Sequence, residues 1–325
     1  MQGRANFPSF HFNYSSWRTS KATPLVTDAL LESIAPVLFD LDHFHIAGCP
    51  KLENRGVWAL LSTNKRGLLS LGLEGLSTRF VIHVQLSFSF YSYINIQDIQ
   101  ALSLLSASHT PHPLRRLHSI TLSIPFSGAY DTASSTMALH ETFTNLLASS
   151  SLERFQIYST SLWGDPISEG RLQTELLLRH IAETHANTLR RFSVHRILMS
   201  FDTIQIICNL CHRLEELFVV LRLLPSSMVR SFSSKTKVHL AYPIQGRLAT
   251  ALSPSKSLRT VHVNNPRLTL PSAPHSSSDT EGGYCILLPC ILLMLEQCSS
   301  TITQFGWNSM VWEVRHARFF SSVFV

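Results

Sequence analysis

One spacing of apolar residues recurs along most of the chain: an apolar residue, two residues of any type, a second apolar residue, one residue of any type, and a third. Eight copies begin at Leu41, Leu68, Leu117, Leu152, Leu189, Leu214, Leu258 and Ile302. The second apolar positions are Phe44, Leu71, Ile120, Phe155, Phe192, Leu217, Val261 and Phe305. Because strand side chains alternate between two faces, each copy predicts a short strand with one buried face. Self-similarity of this kind predicts a stacked array, with the second apolar positions in one buried ladder.

Segments with helical spacing lie between the copies. Residues 54–63 place Val57, Leu60 and Leu61 at i, i+3 and i+4, which predicts a helix with one buried face. Asp202 precedes a run of isoleucines and is predicted to cap the N-terminus of another helix. Further helices are predicted at residues 98–106, 137–148, 171–186 and 284–298. Strands that alternate with helices in this way are expected to be parallel.

The first copy indicates which repeat class this is. It reads LDHFHIAGCPKLENRG and fits L-x-x-L-x-L-x-x-N/C, with Cys49 at the Asn/Cys position. We therefore predict an α/β fold of the leucine-rich-repeat type. In this right-handed solenoid, or horseshoe, a parallel sheet lines the concave side and helices form the convex side.

The spacing between copies is irregular, because successive copies begin 25 to 49 residues apart. Leucine-rich repeats span about 20–29 residues, so the longer intervals require insertions. We expect these insertions near residues 81–97, 225–245 and 271–283. The predicted organisation is a solenoid over 28–314, an N-terminal extension (1–27) that need not be ordered, and a C-terminal tail (315–325).

The composition favours a globular, intracellular protein. Charged residues make up 15% of the chain and apolar residues 45%, which excludes a chain that is disordered throughout. The net charge of +6 comes from 27 basic and 21 acidic residues without a basic run, so nucleic acid is not the expected partner. The apolar stretches are too short to cross a bilayer, and we expect no membrane association. We predict a cytoplasmic or nuclear location, with the six cysteines reduced.

Few residues suggest catalysis or metal binding. Cys208, Cys211 and His212 spell C-x-x-C-H, which is typical of c-type haem attachment, and the two cysteines could instead form half of a zinc site. In the repeat interpretation, the same residues need no metal, because they form the buried end of a helix. His43 and His45 share a strand face but have no evident third ligand. We therefore expect no enzyme activity, no catalytic residues, no metal and no cofactor.

Several stretches resemble a known family. They are LERFQIYST (152–160), LRRFSVHR (189–196), ICNLCHRLEELFVV (207–220), LRTVHVNNP (258–266) and TITQFGWNSMVWEV (301–314). Together with the Cys49 repeat, these stretches resemble fungal F-box and leucine-rich-repeat proteins over roughly residues 30–80 and 100–314. The resemblance implies non-enzymatic protein recognition, like that of the substrate-binding part of a ubiquitin-ligase adaptor. The implied partner is a ubiquitination substrate.

The chain departs from this family in two places. In the family, an F-box precedes the first repeat. Here the corresponding residues, 24–40, look like the helix of a repeat. Without an F-box, we do not expect contact with the ligase scaffold. Residues 81–97 alternate like a strand but match no copy of the repeat. This segment is either a genuine insertion or translated non-coding sequence. An alternative function is a basic concave pocket that binds a small anionic ligand or a phosphorylated peptide.

The middle copies predict a partner-binding patch on the concave side. Side chains between the apolar positions must point away from the core. In three successive copies these side chains are larger and more varied than in the first copies. They are Arg154, Gln156, Tyr158, Arg191, Ser193, His195, Glu216 and Phe218. Arg and Tyr commonly anchor interfaces, and we expect Phe218 to be an exposed aromatic side chain that needs a partner.

Overall fold

Every copy of the apolar spacing forms a strand in the computed structural model of the chain. These strands are β2 (His43–Ala47), β3 (Ser70–Glu74), β4 (Ser119–Ile124), β5 (Arg154–Ser159), β6 (Arg191–Met199), β7 (Glu216–Leu221), β8 (Thr260–Asn264) and β9 (Gln304–Trp307). Two more strands are β1 (Ser16–Arg18) and β10 (Met310–Glu313). The helices are α1 (Asp28–Ile34), α2 (Asn54–Thr63), α3 (Gly170–Thr184) and α4 (Phe201–Leu210), and residues 246–252 are also helical. The fold is α/β, as the sequence predicts.

The structure describes residues 16–18, 25–49, 51–52, 54–74, 114–124, 147–159, 170–221, 246–264, 295, 301–307 and 310–314. The predicted insertions near 81–97, 225–245 and 271–283, the helix at 98–106 and the tail at 315–325 lie outside these residues. The predicted helices at 137–148 and 284–298 also lie outside them, except for residues 147–148 and 295. The chain divides into an N-terminal unit, Met1–His180, and a C-terminal unit, Ile181–Val325.

In the N-terminal unit, β1 to β5 lie side by side in chain order, and every neighbouring pair is parallel. Phe44 lies opposite Leu71, Leu71 opposite Ile120, and Ile120 opposite Phe155. This is the register predicted from the apolar spacing. β1 is a strand that was not predicted, and it lies within residues 1–27, which the sequence analysis assigned to an N-terminal extension. Its Trp17 is 2% exposed, and its ring centroid lies 5.7 Å from that of Phe44, edge to face.

In the C-terminal unit, β6 to β9 are parallel and again follow chain order. Phe192 lies opposite Leu217, Leu217 opposite Val261, and Val261 opposite Phe305, as predicted. β10 departs from the predicted parallel sheet because it pairs with β9 in the antiparallel direction. Only residues 308 and 309 separate these two strands, whereas a parallel connection needs about a dozen residues.

The same backbone hydrogen bonds recur at the start of successive strands. The carbonyl of the residue after the first apolar position accepts hydrogen bonds from two consecutive N–H groups of the next copy. In the N-terminal unit these carbonyls belong to Asp42, Leu69 and His118; in the C-terminal unit they belong to Arg190, Glu215 and Arg259. The N–O distances are 2.7–3.1 Å throughout. Within each unit, the copies therefore repeat in backbone geometry as well as in sequence.

The apolar positions of the copies form the core. The eight second positions are each 3% exposed or less, and the four phenylalanines among them are fully buried. The first positions are buried as well, and among the third positions only Leu73 is half-buried. The predicted buried ladder is thus confirmed within each unit. Burial of this kind contributes roughly 1.5–3 kcal/mol for each large apolar side chain.

Helices α1 and α2 approach each other closely at Gly56. The carboxylate of Asp28 accepts a hydrogen bond from the Gly56 N–H at 2.7 Å. A Cβ atom at Gly56 would lie 2.8 Å from both the Asp28 Cα and the Leu31 Cβ, so a larger residue would force the helices apart. The bounds of α2 agree with the helix predicted at 54–63.

The N-cap of α4 is Ser200, and the predicted Asp202 cap is wrong. The Ser200 hydroxyl accepts a hydrogen bond from the Thr203 N–H at 3.2 Å, and Asp202 lies in the first turn. An acidic residue in the first turn also interacts favourably with the helix dipole, so both positions suit Asp. Within the described residues, no helix has the length and apolar character needed to cross a membrane.

Candidate functional site

Each unit has an outward face, formed by side chains that point away from the buried ladder. By strand alternation these are the residues just before and just after the second apolar position and, in some of the described copies, the residue after the third; Val220, at that last position of β7, is buried instead. All eight residues of the predicted patch occupy such positions. Three of them lie on β5 in the N-terminal unit, and five lie on β6 and β7 in the C-terminal unit.

The three β5 residues differ in their surroundings. Arg154 is exposed, and within the described residues it forms no ion pair. Gln156 is half-buried opposite Thr121 of β4. Tyr158 is half-buried, and its hydroxyl donates a hydrogen bond to Oε2 of Glu74 on β3. Arg154 is therefore the member of this group that is most accessible to a partner.

Tyr158 belongs to a polar network, termed here the Glu74 network, that comprises His45, Glu74 and Tyr158. The second carboxylate oxygen of Glu74 lies 2.5 Å from Nε2 of His45 on β2. The His45 ring lies over Gly72, where a Cβ atom would be 2.0 Å from Cδ2 of the ring. Gly72 therefore leaves the space through which His45 reaches Glu74. Both oxygens of the carboxylate are paired within the network.

In the C-terminal unit, the predicted residues surround Phe218. The Arg191 guanidinium lies 5.1 Å from the centroid of the Phe218 ring, and its Nη1 is 3.3 Å from Oε2 of Glu216. The side chains of Arg191 and Glu216 are 40% and 41% exposed. A cation over an aromatic face is attracted by the electron density of the ring. Phe218 is half-buried rather than exposed, because neighbouring side chains flank it.

Two histidines lie on either side of Phe218. The His262 ring on β8 stacks on Phe218, with a centroid distance of 5.8 Å and an interplanar angle of 16°. The His195 ring on β6 is tilted by 37°, with its centroid 6.3 Å from that of Phe218. We term Arg191, His195, Phe218 and His262 the ring cluster. His262 lies over Gly306 of β9, where a Cβ atom would be 2.2 Å from Nδ1 of the imidazole.

A register irregularity of β6 lies beside His195. The pairing of β6 with β7 shifts between Ser193 and Leu198, and Arg196 has a positive φ of 59°. This conformation is unfavourable for a residue with a Cβ, and bulges commonly redirect the side chains beside them. The Ser193 hydroxyl lies 2.7 Å from Nε2 of His195. Ser193 itself is fully buried, so of the predicted patch residues it is the least available for direct contact.

The environment of His195 disfavours its protonation. Burial lowers the pKa of the His195 imidazole, and the nearby His262 and Arg191 lower it further. Desolvation and like charge both penalise the cationic imidazole. The neutral form is therefore favoured near neutral pH, and its ring nitrogen can pair with Ser193.

The C-x-x-C-H residues lie at the end of α4, as the repeat interpretation predicts. Cys208 and Cys211 are fully buried. The Cys211 thiol lies 3.6 Å from the carbonyl oxygen of Ala182, and burial raises its pKa to about 12. His212, in contrast, is exposed. The two cysteines are core residues, and the thiol of Cys211 is protonated at neutral pH.

Residues that could bind a metal are dispersed. Among the described residues, no three His, Cys, Asp or Glu side chains are close enough together to hold an ion. His43 and His45 do lie on one face of β2, as predicted. The polar partner of His45 is the carboxylate of Glu74, a residue that the sequence analysis did not select.

Sequence reasoning missed Glu74 and His262. His262 occupies the same position in its copy as Phe218 in the preceding copy, and the two are direct partners in the sheet. Extending the outward positions to the later copies would have identified it. The same rule marks Glu74 as an outward residue, because it follows the third apolar position of its copy, but the sequence does not reveal its partner Tyr158, 84 residues later in the chain.

Comparisons with protein-family models and with curated proteins find no match to this chain. The resemblance to F-box and leucine-rich-repeat proteins therefore rests on the spacing and apolar residues of the chain itself.

Proposed function

We propose that the chain is a non-enzymatic protein-recognition module built as a leucine-rich-repeat solenoid. In this proposal the outward faces form the concave side and the helices the convex side. The repeated hydrogen bonds at the strand starts and the buried ladder in each unit support this architecture. The role resembles that of the substrate-binding part of an F-box ubiquitin-ligase adaptor.

The ring cluster is the observation that carries the proposal. Three neighbouring strands present an arginine and two histidines on one face, each packed against the same phenylalanine. Arg and aromatic side chains supply most of the binding energy at protein interfaces. Their packing on one another also limits the side-chain entropy that a partner would have to overcome.

The proposed partner is an intracellular protein, and by resemblance it is a ubiquitination substrate. Contact with the ligase scaffold is not part of the proposal. A membrane partner, nucleic acid and a cofactor are likewise not proposed.

Photo-crosslinking tests which surface meets the partner. A photoreactive phenylalanine analogue replaces either Phe218 on the outward face or Leu176, which lies on α3 and is 47% exposed. We expect a discrete protein adduct from position 218 and none from position 176. Equal labelling from both positions would show that the outward face has no special role.

A double substitution tests the arginines. Arg154→Ala with Arg191→Ala should abolish partner capture while leaving the fold intact. The matched control is Arg190→Ala, because Arg190 forms a similar exposed pair with Glu215 at 3.6 Å and is 43% exposed. Undiminished capture by the double variant would contradict the proposal. Circular dichroism and the unfolding midpoint establish that each variant is folded.

The alternative predicted from the sequence, a site for a small anion or a phosphorylated peptide, has a specific observation in its favour. Arg191, His195 and His262 all lie around one phenylalanine ring. Binding of such an anion is compatible with protein recognition, since the anionic group can be carried by the partner.

A further inference from the structure

We propose that the C-terminal unit binds a phosphate-class dianion between Arg191, His195 and His262, with Phe218 as the platform that holds them. This inference rests on the proposed recognition role and names the chemistry that the ring cluster would recognise. The anion can be free phosphate or a phosphoryl group esterified to a partner.

The geometry places three nitrogen-bearing side chains around Phe218. The guanidinium of Arg191 lies over the ring, with its carbon atom 5.1 Å from the ring centroid. A guanidinium attracted to an aromatic face keeps N–H groups in a planar fork that can bind oxygen atoms of an anion. The imidazoles of His195 and His262 contact the same ring at 6.3 and 5.8 Å. Three strands thus place three nitrogen-bearing groups around one apolar centre.

The ion pair of Arg191 with Glu216 does not prevent anion binding. Its N–O distance is 3.3 Å, and both side chains are about two-fifths exposed. Ion pairs of this exposure contribute little, about 0–1 kcal/mol. A phosphate dianion offers the guanidinium two charge-assisted hydrogen bonds in the same plane. Exchange of the Glu216 carboxylate for phosphate is therefore favourable.

An anion would also relieve the repulsion among the basic groups. Charged or titratable groups around His195 include Arg191 and Arg196 on its own strand and His262 on β8, and Glu216 on β7 pairs with Arg191. Burial, His262 and Arg191 all lower the pKa of His195 in the free protein. A bound dianion stabilises the imidazolium, so binding should be accompanied by proton uptake at His195.

Titration with defined probes tests this site in the full chain. Sodium phosphate and phenyl phosphate are added at constant ionic strength, with sodium chloride as the control, and the histidine ring protons are followed by NMR. We expect both probes to shift the His195 and His262 signals and to raise the pKa of His195. The His45 signal, in the N-terminal unit, serves as the internal reference and should stay in place.

Two variants locate the site. Arg191→Gln should weaken phosphate binding roughly tenfold or more, the effect of losing a charge-assisted hydrogen bond. Arg190→Gln, which alters a similar neighbouring arginine, should leave it unchanged. If Arg191→Gln does not fold, His262→Gln provides the same test. Shifts no larger than those in chloride, or equal weakening by Arg190→Gln, would overturn the proposal.

The two probes distinguish the source of the phosphoryl group. Tighter binding of phenyl phosphate favours an esterified group on a partner, and tighter binding of inorganic phosphate favours a free ligand. Because neither probe requires a protein partner, this test can fail while photo-crosslinking at Phe218 succeeds. The reverse result, anion binding without a protein adduct, would leave the anion site standing and remove the protein-recognition role.

Discussion

The two units use the same arrangement of a histidine beside a glycine for different chemistry. His45 lies opposite Gly72 on the next strand of the N-terminal unit, and His262 lies opposite Gly306 in the C-terminal unit. In both pairs the missing Cβ atom gives the imidazole its space. The first histidine reaches a carboxylate, whereas the second stacks on an aromatic ring. The buried ladder is common to both units, so the neighbouring outward residues determine what each face can do.

The comparison indicates why the C-terminal face is the better candidate for recognition. In the Glu74 network, the carboxylate pairs both of its oxygens with groups of the same unit. In the ring cluster, an arginine and two histidines, which can all be positively charged, surround an apolar ring. Burial also disfavours the positively charged form of His195. A satisfied network gains little from a partner, whereas crowded basic groups gain from an anion.

The largest expected effect tests the feature that both units share. Phe155→Ala and Phe192→Ala each remove a fully buried ring from the ladder and should each lower the free energy of unfolding by about 3–5 kcal/mol. Chemical denaturation measures the loss. A cost below about 1 kcal/mol for either variant would show that its ladder position is poorly packed.

A smaller effect should distinguish the Glu74 network. Tyr158→Phe removes the hydroxyl that donates to Glu74 and should cost about 1 kcal/mol of unfolding free energy. Glu74→Gln should cost a similar amount, and the double variant should cost less than the sum, because the two residues interact. Strict additivity of the two costs would show that the hydrogen bond contributes nothing in solution.

His195, on the C-terminal face, should contribute to the pH dependence of stability. The pKa of His195 in the folded protein lies below its ordinary value of 6.5, so the unfolded chain binds more protons between the two values. This histidine therefore lowers stability as the pH falls below about 6.5 and has no effect on the slope above it. His195→Asn should flatten the acid limb of a plot of unfolding free energy against pH, and the exposed His212→Asn should not. An unchanged limb in His195→Asn would contradict the assigned direction.

The smallest effects should come from filling the glycine positions. Gly72→Ala and Gly306→Ala place a methyl group against His45 and His262, whose rings can rotate away. The net change in unfolding free energy should stay within about 1 kcal/mol, since the loss of chain entropy offsets part of the displaced contact. NMR signals should instead change, with Gly72→Ala moving the Tyr158 ring signals and Gly306→Ala moving those of Phe218. Unmoved signals would show that the rings do not occupy these spaces.

The apolar spacing determined most of the described fold. The start of each strand, the register within each unit and the bounds of α2 all follow from it, because a buried face leaves little choice of register. β1 escaped prediction because a three-residue strand with the single buried Trp17 carries no periodic signal. β10 was missed because its direction depends on a two-residue connection rather than on its own residues.

The sequence by itself also identified Arg191, His195 and Phe218 as outward residues, since alternation along a strand is a local rule. Only the tertiary structure decided what they contact. The register shift between Ser193 and Leu198 of β6 lies beside His195, and His262 reaches Phe218 from the next strand, 44 residues later in the chain. Likewise, Glu74 meets Tyr158 across an intervening strand. Such contacts form where a side chain leans over a neighbouring strand. His45 and His262 can do so because the neighbouring strand has a glycine there, with no Cβ atom to fill the space.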